Sequence, residues 1–190
     1  SDRDRHVIAF GADGLGASST ATDGSGTQDP LLIRFSSQGS AITWDALATN
    51  TAGDLPISSG SEIICAIETR QQILVFTDVS LHAMQFLGPP FTFGITQISE
   101  NTTIMGPHTA KAVDDAVFWM GVEDFYVYDG RVQKLPCSVR SYVFNDFNLT
   151  QKDKAFAGLN STFNEIWWFY PSSDSTECDR YVIFNSQEKV

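Results

Sequence analysis

The chain has 190 residues, of which 42% are hydrophobic and 12% aromatic, a composition typical of a folded protein and not of a disordered one. Twelve Lys and Arg oppose 23 Asp and Glu, and the formal net charge of −11 argues against a surface that grips nucleic acid through phosphate contacts. No apolar run is long enough to form a membrane span, and the N-terminus lacks the apolar core of a signal peptide.

Short apolar runs with a two-residue period dominate the chain and predict an all-β protein. In chain order, the clearest runs are 31–35, 63–67, 73–76, 81–86, 116–120, 125–128, 166–170 and 181–184, with weaker companions at 6–10, 111–113 and 155–157. No segment keeps a helical apolar stripe over three turns. We expect only one short helical turn, within 145–154.

The spacing of these runs favours a β-propeller. The strongest strands begin at Leu31, Ile73, Ala116 and Ile166, at intervals of 42, 43 and 50 residues. Antiparallel units that recur in this way are typical of propeller blades. We therefore predict that residues 1–190 form blades of a propeller or propeller segment, with units at about 6–50, 60–100, 109–145 and 154–188, in a chain that continues beyond them. A β-sandwich or another barrel remains the alternative.

Two turns and one connection between sheets follow from local composition. Residues 121–124 are expected to form a hairpin between two aromatic strands, and Asp129-Gly130 the turn after the second one. The stretch PPFTFG at 89–94 is expected to be a stiff connection between two sheets.

Residues 11–29 are rich in Gly, Ser, Thr and Asp, and predict an exposed loop. Its carboxylates Asp13, Asp23 and Asp29 make it a candidate interaction loop. The same oxygens also suit calcium, but the complete ligand register of a calcium loop is missing. The glycines resemble a phosphate loop only superficially, because no Lys-Ser/Thr ending follows them.

No pattern of catalytic residues emerges. His6, His82 and His108 are scattered, and there is no nucleophile elbow. The acidic residues cluster in turns, where solvation explains them, and no two of them stand out as a glycosidase pair. The three cysteines form neither a metal motif nor an even disulfide framework. We therefore predict no enzyme, no cofactor and no metal site.

The aromatic strands are apolar at consecutive positions, so both of their faces are apolar. A sheet covered on both sides has this pattern, and we predict that the rings are structural core and not a ligand platform. The predicted core aromatics are Phe76, Phe118, Trp119, Phe125, Tyr126, Tyr128, Trp167, Trp168 and Phe169.

Longer stretches carry a family resemblance. They include PLLIRFSSQGSAITW, TRQQILVFTDVSLHAMQFLGPPFTFG, DDAVFWMGVEDFYVYDGRVQKLPCSVRSYVFND and NEIWWFYPSSDSTECDRYVIFN. From about residue 6 to the end, the sequence resembles the β-propeller tail nozzle proteins of short-tailed bacteriophages, the podovirus family of tail tubular protein B and of the DNA-stabilisation protein.

The resemblance implies a structural virion protein of the phage tail that assembles in the bacterial cytoplasm. It implies a homo-oligomer, usually a hexamer, that contacts the adaptor and portal-proximal tail proteins and the tail fibres. Genomic DNA would pass through its channel without sequence-specific binding. An acidic subunit suits a conduit, because it repels its cargo instead of holding it.

Two other functions remain open. The first is a propeller that recognises a glycan or a protein receptor through its loops. The second is a propeller hydrolase.

Overall fold

The computed structural model describes residues 4–11 and 28–189 of the chain. The chain divides into two compact units, Ser1–Glu100 and Asn101–Val190. In both units the sheets are antiparallel meanders, in which strands that follow one another along the chain lie side by side. The all-β prediction is confirmed. None of the described helices has the length and apolar character needed to span a membrane.

The first unit contains two of these sheets within its described residues. One has three strands, β1 (Ile8–Phe10), β2 (Leu32–Phe35) and β3 (Gly53–Pro56). The other has four, β4 (Ile63–Glu68), β5 (Ile73–Thr77), β6 (Ser80–Gly88) and β7 (Thr92–Glu100). All five residues of β5 are buried, which explains why its sequence is apolar at consecutive positions and does not alternate.

A core of apolar side chains lies between the two sheets of the first unit. Ile33 and Phe35 of β2 contribute to it from one side, and Val75 and Phe93 from the other. The rings of Phe35 and Phe93 meet edge to face with centroids 4.9 Å apart, an arrangement that aromatic quadrupoles favour. The two sheets of this unit are therefore packed face to face.

The second unit has the same plan. Its four-stranded sheet contains β8 (Ala110–Val113), β9 (Ala116–Met120), β10 (Phe125–Tyr128) and β11 (Val132–Lys134). Its three-stranded sheet contains β12 (Phe156–Asn160), β13 (Glu165–Tyr170) and β14 (Arg180–Asn185). Along the chain, the helix α1 (Arg140–Asn145) and a 3₁₀ helix (Leu149–Lys154) follow the four-stranded sheet and precede the three-stranded one.

The two sheets of the second unit also pack face to face. Phe125 of β10 lies 4.9 Å from Trp168 of β13, measured between ring centroids, and Phe118 lies 5.8 Å from Phe184. The first strands of the two sheets, β8 and β12, are neighbours. Beside them, the backbone N–H of Ala157 donates to the carbonyl of His108 at 2.8 Å.

Several local predictions can be compared directly with these elements. The hairpin at 121–124 is confirmed, since β9 and β10 pair in antiparallel register on either side of it. The turn at Asp129-Gly130 is confirmed by the pairing of β10 with β11. The short helical turn is confirmed as the 3₁₀ helix, where the Asn148 side chain accepts a hydrogen bond from the Thr150 N–H at 3.1 Å. The helix α1 was not predicted, because six residues are too few to show a helical period.

The prediction for the stretch at 89–94 is wrong. Pro89-Pro90 lies at the turn of the β6–β7 hairpin, within one sheet, and Gly88 pairs with Thr92 across it. Phe93 is buried, whereas Phe91 at the turn is 71% exposed. Composition indicated a stiff connection here, but it did not show that the strands on its two sides pair with each other in one sheet.

Candidate functional site

The structure places the predicted core aromatics in two different environments. Five of them are buried: Phe76, Phe118, Trp119, Phe125 and Trp168. Four are only partly buried: Tyr126, Tyr128, Trp167 and Phe169. A ring is buried where another part of the chain covers the sheet face from which it projects, and it is partly exposed where that face is less covered.

Trp119 shows how a ring becomes buried on the outer face of the four-stranded sheet in the second unit. It pairs across the strands with Tyr126, and the two rings stack with centroids 5.4 Å apart and planes 14° apart. Its indole N–H donates to the Thr103 carbonyl at 3.2 Å. The segment that precedes the sheet therefore meets the polar end of the Trp119 side chain, as a fully buried indole requires.

The outer face of the three-stranded sheet carries four aromatic side chains from three neighbouring strands. We call this set the aromatic stripe; its members are Phe156, Trp167, Phe169 and Tyr181. Centroid distances are 4.8 Å for Phe156–Phe169 and 5.1 Å for Trp167–Tyr181, and both pairs are stacked. Phe156 is 43% exposed and Tyr181 is 58% exposed.

The partial exposure of Trp167 and Phe169 therefore disagrees with the expectation that both faces of their strand are covered. Along β13, Ile166, Trp168 and Tyr170 are buried, while the alternating residues face outward. On that outer face, Trp167 and Phe169 are only partly buried, and Phe156 and Tyr181 beside them are exposed. An exposed cluster of large rings is a typical protein or ligand contact surface.

A carboxylate lies at one end of the aromatic stripe. The Trp167 indole N–H donates to Glu165 Oε2 at 3.0 Å, and the Asn160 amide donates to the same oxygen at 3.3 Å. These bonds hold the Trp167 ring in one orientation on the sheet. The stripe thus combines ordered apolar surface with a polar end that can accept further hydrogen bonds.

The candidate interaction loop is only partly described. Asp13 and Asp23 lie outside the described residues. Asp29 is exposed, and its Oδ1 accepts a hydrogen bond from the backbone N–H of Leu31 at 3.0 Å. This contact stabilises the turn that leads into β2. The role of residues 11–29 as an interaction loop stays a prediction.

The carboxylates with lowered pKa values stabilise turns. Asp179 accepts hydrogen bonds from the backbone N–H and the hydroxyl of Ser172, both at 2.7 Å, and these bonds lower the pKa of its carboxyl. In the first unit, Asp78 accepts from the N–H of Ser61 at 2.8 Å and from its hydroxyl at 2.7 Å. The two carboxylates therefore have the same structural role, in which each accepts two hydrogen bonds from one serine of another segment.

A third carboxylate, Asp124, is 7% exposed and joins three parts of the second unit. It forms ion pairs with Lys134 of β11 at 2.5 Å and with Arg140 at the start of α1. The contact raises the pKa of the Lys134 ammonium through the hydrogen bond and the charge of Asp124. The acidic turn between β9 and β10 therefore ties the sheet to the helix.

Two of the three histidines, His6 and His82, make structural contacts. His82 is buried in β6, where its Nε2 lies 2.9 Å from Ser80 Oγ, and desolvation lowers its pKa. His6 Nδ1 lies 2.6 Å from the Ser36 carbonyl oxygen, and His108 is exposed. In the described ranges, no three His, Cys, Asp or Glu side chains are grouped to hold a metal ion.

Sequence reasoning missed two surfaces. The first is the tip of the β6–β7 hairpin, where Leu87 is 58% and Phe91 is 71% exposed. The absence of charged residues from 83 to 99 is the signal that could have indicated it. The second is the open edge of β14 and the cavity beside it, which is lined by residues far apart in the sequence.

No protein-family model matches the sequence, and a search of curated proteins gives no match.

Proposed function

We propose that this chain is the propeller-bearing tail nozzle subunit of a short-tailed bacteriophage, a structural virion protein and not an enzyme. It would assemble into a homo-oligomeric ring, retain packaged DNA and form the conduit through which the genome leaves. Its neighbours would be the adaptor and portal-proximal tail proteins and the tail fibres, after assembly in the host cytoplasm.

One observation carries the proposal: meander sheets follow one another along the chain, and each unit packs two of them face to face. The repeat found in the sequence falls on equivalent strands, because Ile73, Ala116 and Ile166 lie in β5, β9 and β13, the second strand of each sheet. Leu31 directly precedes β2, which is again a second strand. Successive propeller blades are related in this way.

The packing inside the second unit supports the same proposal. Propeller blades present their first strands to the central axis, so first strands of consecutive blades are close. The neighbouring strands β8 and β12 fit this arrangement. Burial of Phe118, Phe125 and Trp168 between the two sheets fits the apolar contact between consecutive blades.

The charge of the chain also supports passage of DNA without binding. A net charge of −11 opposes the close approach of phosphates, and a smooth conduit gains from the absence of strong cation–phosphate contacts. We expect the purified protein to leave a labelled DNA duplex unshifted in a gel assay, even at low salt. Salt-sensitive retention of the duplex would contradict the conduit role.

Assembly provides the decisive test. Light scattering and negative-stain electron microscopy of the purified protein should show closed rings, with six-fold averages, that bind portal–adaptor complexes. A protein that stays monomeric over a wide concentration range and does not bind these complexes would argue against a nozzle subunit.

The aromatic stripe favours a second candidate, a binding module for a glycan or a protein receptor. Its exposed rings and the hydrogen-bonded Glu165 are features of many recognition surfaces. A glycan-array signal from the monomeric protein, abolished by Trp167→Ala and retained by a Trp44→Ala control, would support this candidate over the first. Absence of any such signal from the wild-type protein would count against it.

A further inference from the structure

The last strand of the three-stranded sheet in the second unit has an open edge. β14 pairs with β13 along one side, and the described residues place no strand along the other. The four-stranded sheets of the chain carry β7 and β11 at the corresponding fourth position. An edge strand presents N–H and C=O groups that can pair with an added strand.

A cavity of about 370 Å³ lies against this edge. It is lined by Val182, Ile183 and Phe184, consecutive residues of β14. Because alternate side chains of a strand project to opposite faces, a cavity that meets all three passes along the edge of the strand. Residues 135–139, which follow β11, form another part of its wall.

The cavity is part of a longer groove. A second cavity of about 360 Å³ shares Leu135, Pro136, Phe184 and Lys189 with the first one. The groove therefore continues past the segment after β11 toward the four-stranded sheet. Its size falls within the usual range of about 300–1,000 Å³ for ligand sites.

The lining of the first cavity has a distinct chemistry. Buried Phe125 and Trp168 contribute to it, together with the partly buried Leu135 and Val182. Among the described residues that line it, Lys189 alone carries a charge. The second cavity adds one acidic and one basic side chain, Asp129 and Lys134, so the single unbalanced charge of the groove is the Lys189 ammonium of the first cavity. In a chain with a net charge of −11, this apolar cavity with one cation at its end is complementary to an apolar ligand that carries an anion.

We infer that this groove binds an extended peptide segment, which adds a fourth strand antiparallel to β14. The segment carries apolar side chains at alternate positions and an acidic residue at its N-terminal end. The orientation follows from the sheets themselves, in which neighbouring strands are antiparallel. A strand antiparallel to β14 starts next to the C-terminal end of β14, where Lys189 lies. This inference does not depend on the nozzle function.

A strand fits the groove better than a small apolar acid does. A fatty acid would fill the apolar space and reach Lys189, but it would form no ladder of backbone hydrogen bonds with the β14 edge. A peptide satisfies these groups, and the alternating side chains provide specificity, as in other complexes formed by strand addition. Backbone pairing is therefore the feature that the experiment has to test.

The probe is a synthetic peptide, acetylated and amidated, in which Val and Thr alternate over eight positions after an N-terminal Glu. Two matched peptides serve as controls, one with Lys in place of Glu and one methylated at alternate backbone nitrogens. Calorimetry with the folded protein should show binding of the first peptide, weaker binding of the Lys peptide by about threefold, and loss of binding for the methylated peptide. Equal binding of the parent and methylated peptides would overturn strand addition.

Charge reversal tests the predicted orientation. In Lys189→Glu, the preference should reverse, so that the Lys peptide binds more tightly than the Glu peptide. Lys152→Glu, an exposed position outside the cavity, provides a control with the same change of net charge and should keep the wild-type preference. Both positions are exposed, so the fold is retained, and circular dichroism verifies this. An unchanged preference in Lys189→Glu contradicts the proposed orientation.

Cys137 provides a local readout, because it lines the cavity and Cys178 does not. Bound peptide should slow alkylation of Cys137, measured by mass spectrometry, and leave the rate at Cys178 unchanged. Binding that protects neither thiol would place the peptide elsewhere, and absence of binding at millimolar peptide would overturn the inference altogether.

Discussion

The indole N–H of Trp168 donates a hydrogen bond to the backbone carbonyl of Thr109 at 2.9 Å, between two residues that are almost completely buried. Trp168 belongs to β13, and Thr109 directly precedes β8. The bond therefore joins the two sheets of the second unit inside their common core. It also fixes which face of β13 is turned inward.

Trp168→Phe should destabilise the protein, because it removes the shorter of two hydrogen bonds to the buried Thr109 carbonyl, which also accepts from the Met120 N–H at 3.3 Å. One intramolecular hydrogen bond contributes about 0.5–1.5 kcal/mol to stability. Urea unfolding followed by circular dichroism measures the loss. Trp44→Phe is the control, because Trp44 also donates to a carbonyl, that of Ala41 at 3.0 Å, but in an exposed loop. Equal effects of the two substitutions would show that the buried bond has no special importance.

Gly60→Ala should be more harmful than Gly130→Ala, although both glycines have nearly the same positive φ, 106° and 108°. A Cβ at Gly60 would lie 2.5 Å from Asp78 Oδ1, whereas a Cβ at Gly130 would meet nothing within 4 Å. Gly130→Ala therefore reports backbone strain alone, about 1–2 kcal/mol. Gly60→Ala adds the disruption of the Asp78–Ser61 contact. Unfolding free energies of the two variants that agree within error would contradict the steric argument.

Asp179 should contribute to stability only while it is ionised. Its folded-state pKa is lowered by the hydrogen bonds from Ser172, so the contribution is present above the ordinary Asp value of 3.8 and is lost as the pH falls through the lower folded value. The stability difference between the wild type and Asp179→Asn should be constant from about pH 5 to 7 and shrink in stronger acid. A difference that grows on acidification would refute this linkage.

Cys65 should be the least reactive of the three thiols. Burial raises its pKa to about 12, so very little thiolate is present near neutral pH. We expect iodoacetamide to modify Cys65 at least about tenfold more slowly than Cys137 in the folded protein. In denaturant the three rates should converge, which separates the effect of the fold from that of the local sequence. Rapid labelling of Cys65 in native buffer would disagree with the raised pKa of its thiol.

The sequence by itself determined where most of the strands form, although its apolar runs did not indicate β3, β7 or β11. Runs of β-branched and aromatic residues, separated by Gly, Pro and Asp, cannot form long helices, and hairpins such as residues 121–124 follow from local turn chemistry. The alternation along β13 also placed Trp167 and Trp168 on opposite faces, since this period is a property of the strand alone.

Only the tertiary structure decided which of these faces is covered. Trp167 and Trp168 are identical residues next to each other in the sequence. Nothing local therefore shows that Trp168 packs against Phe125 while Trp167 stays partly exposed. The groove beside β14 likewise depends on residues 135–139 and 182–184, which are brought together by packing of two sheets. Burial is a relation between distant segments, and a local pattern cannot specify the partner that provides it.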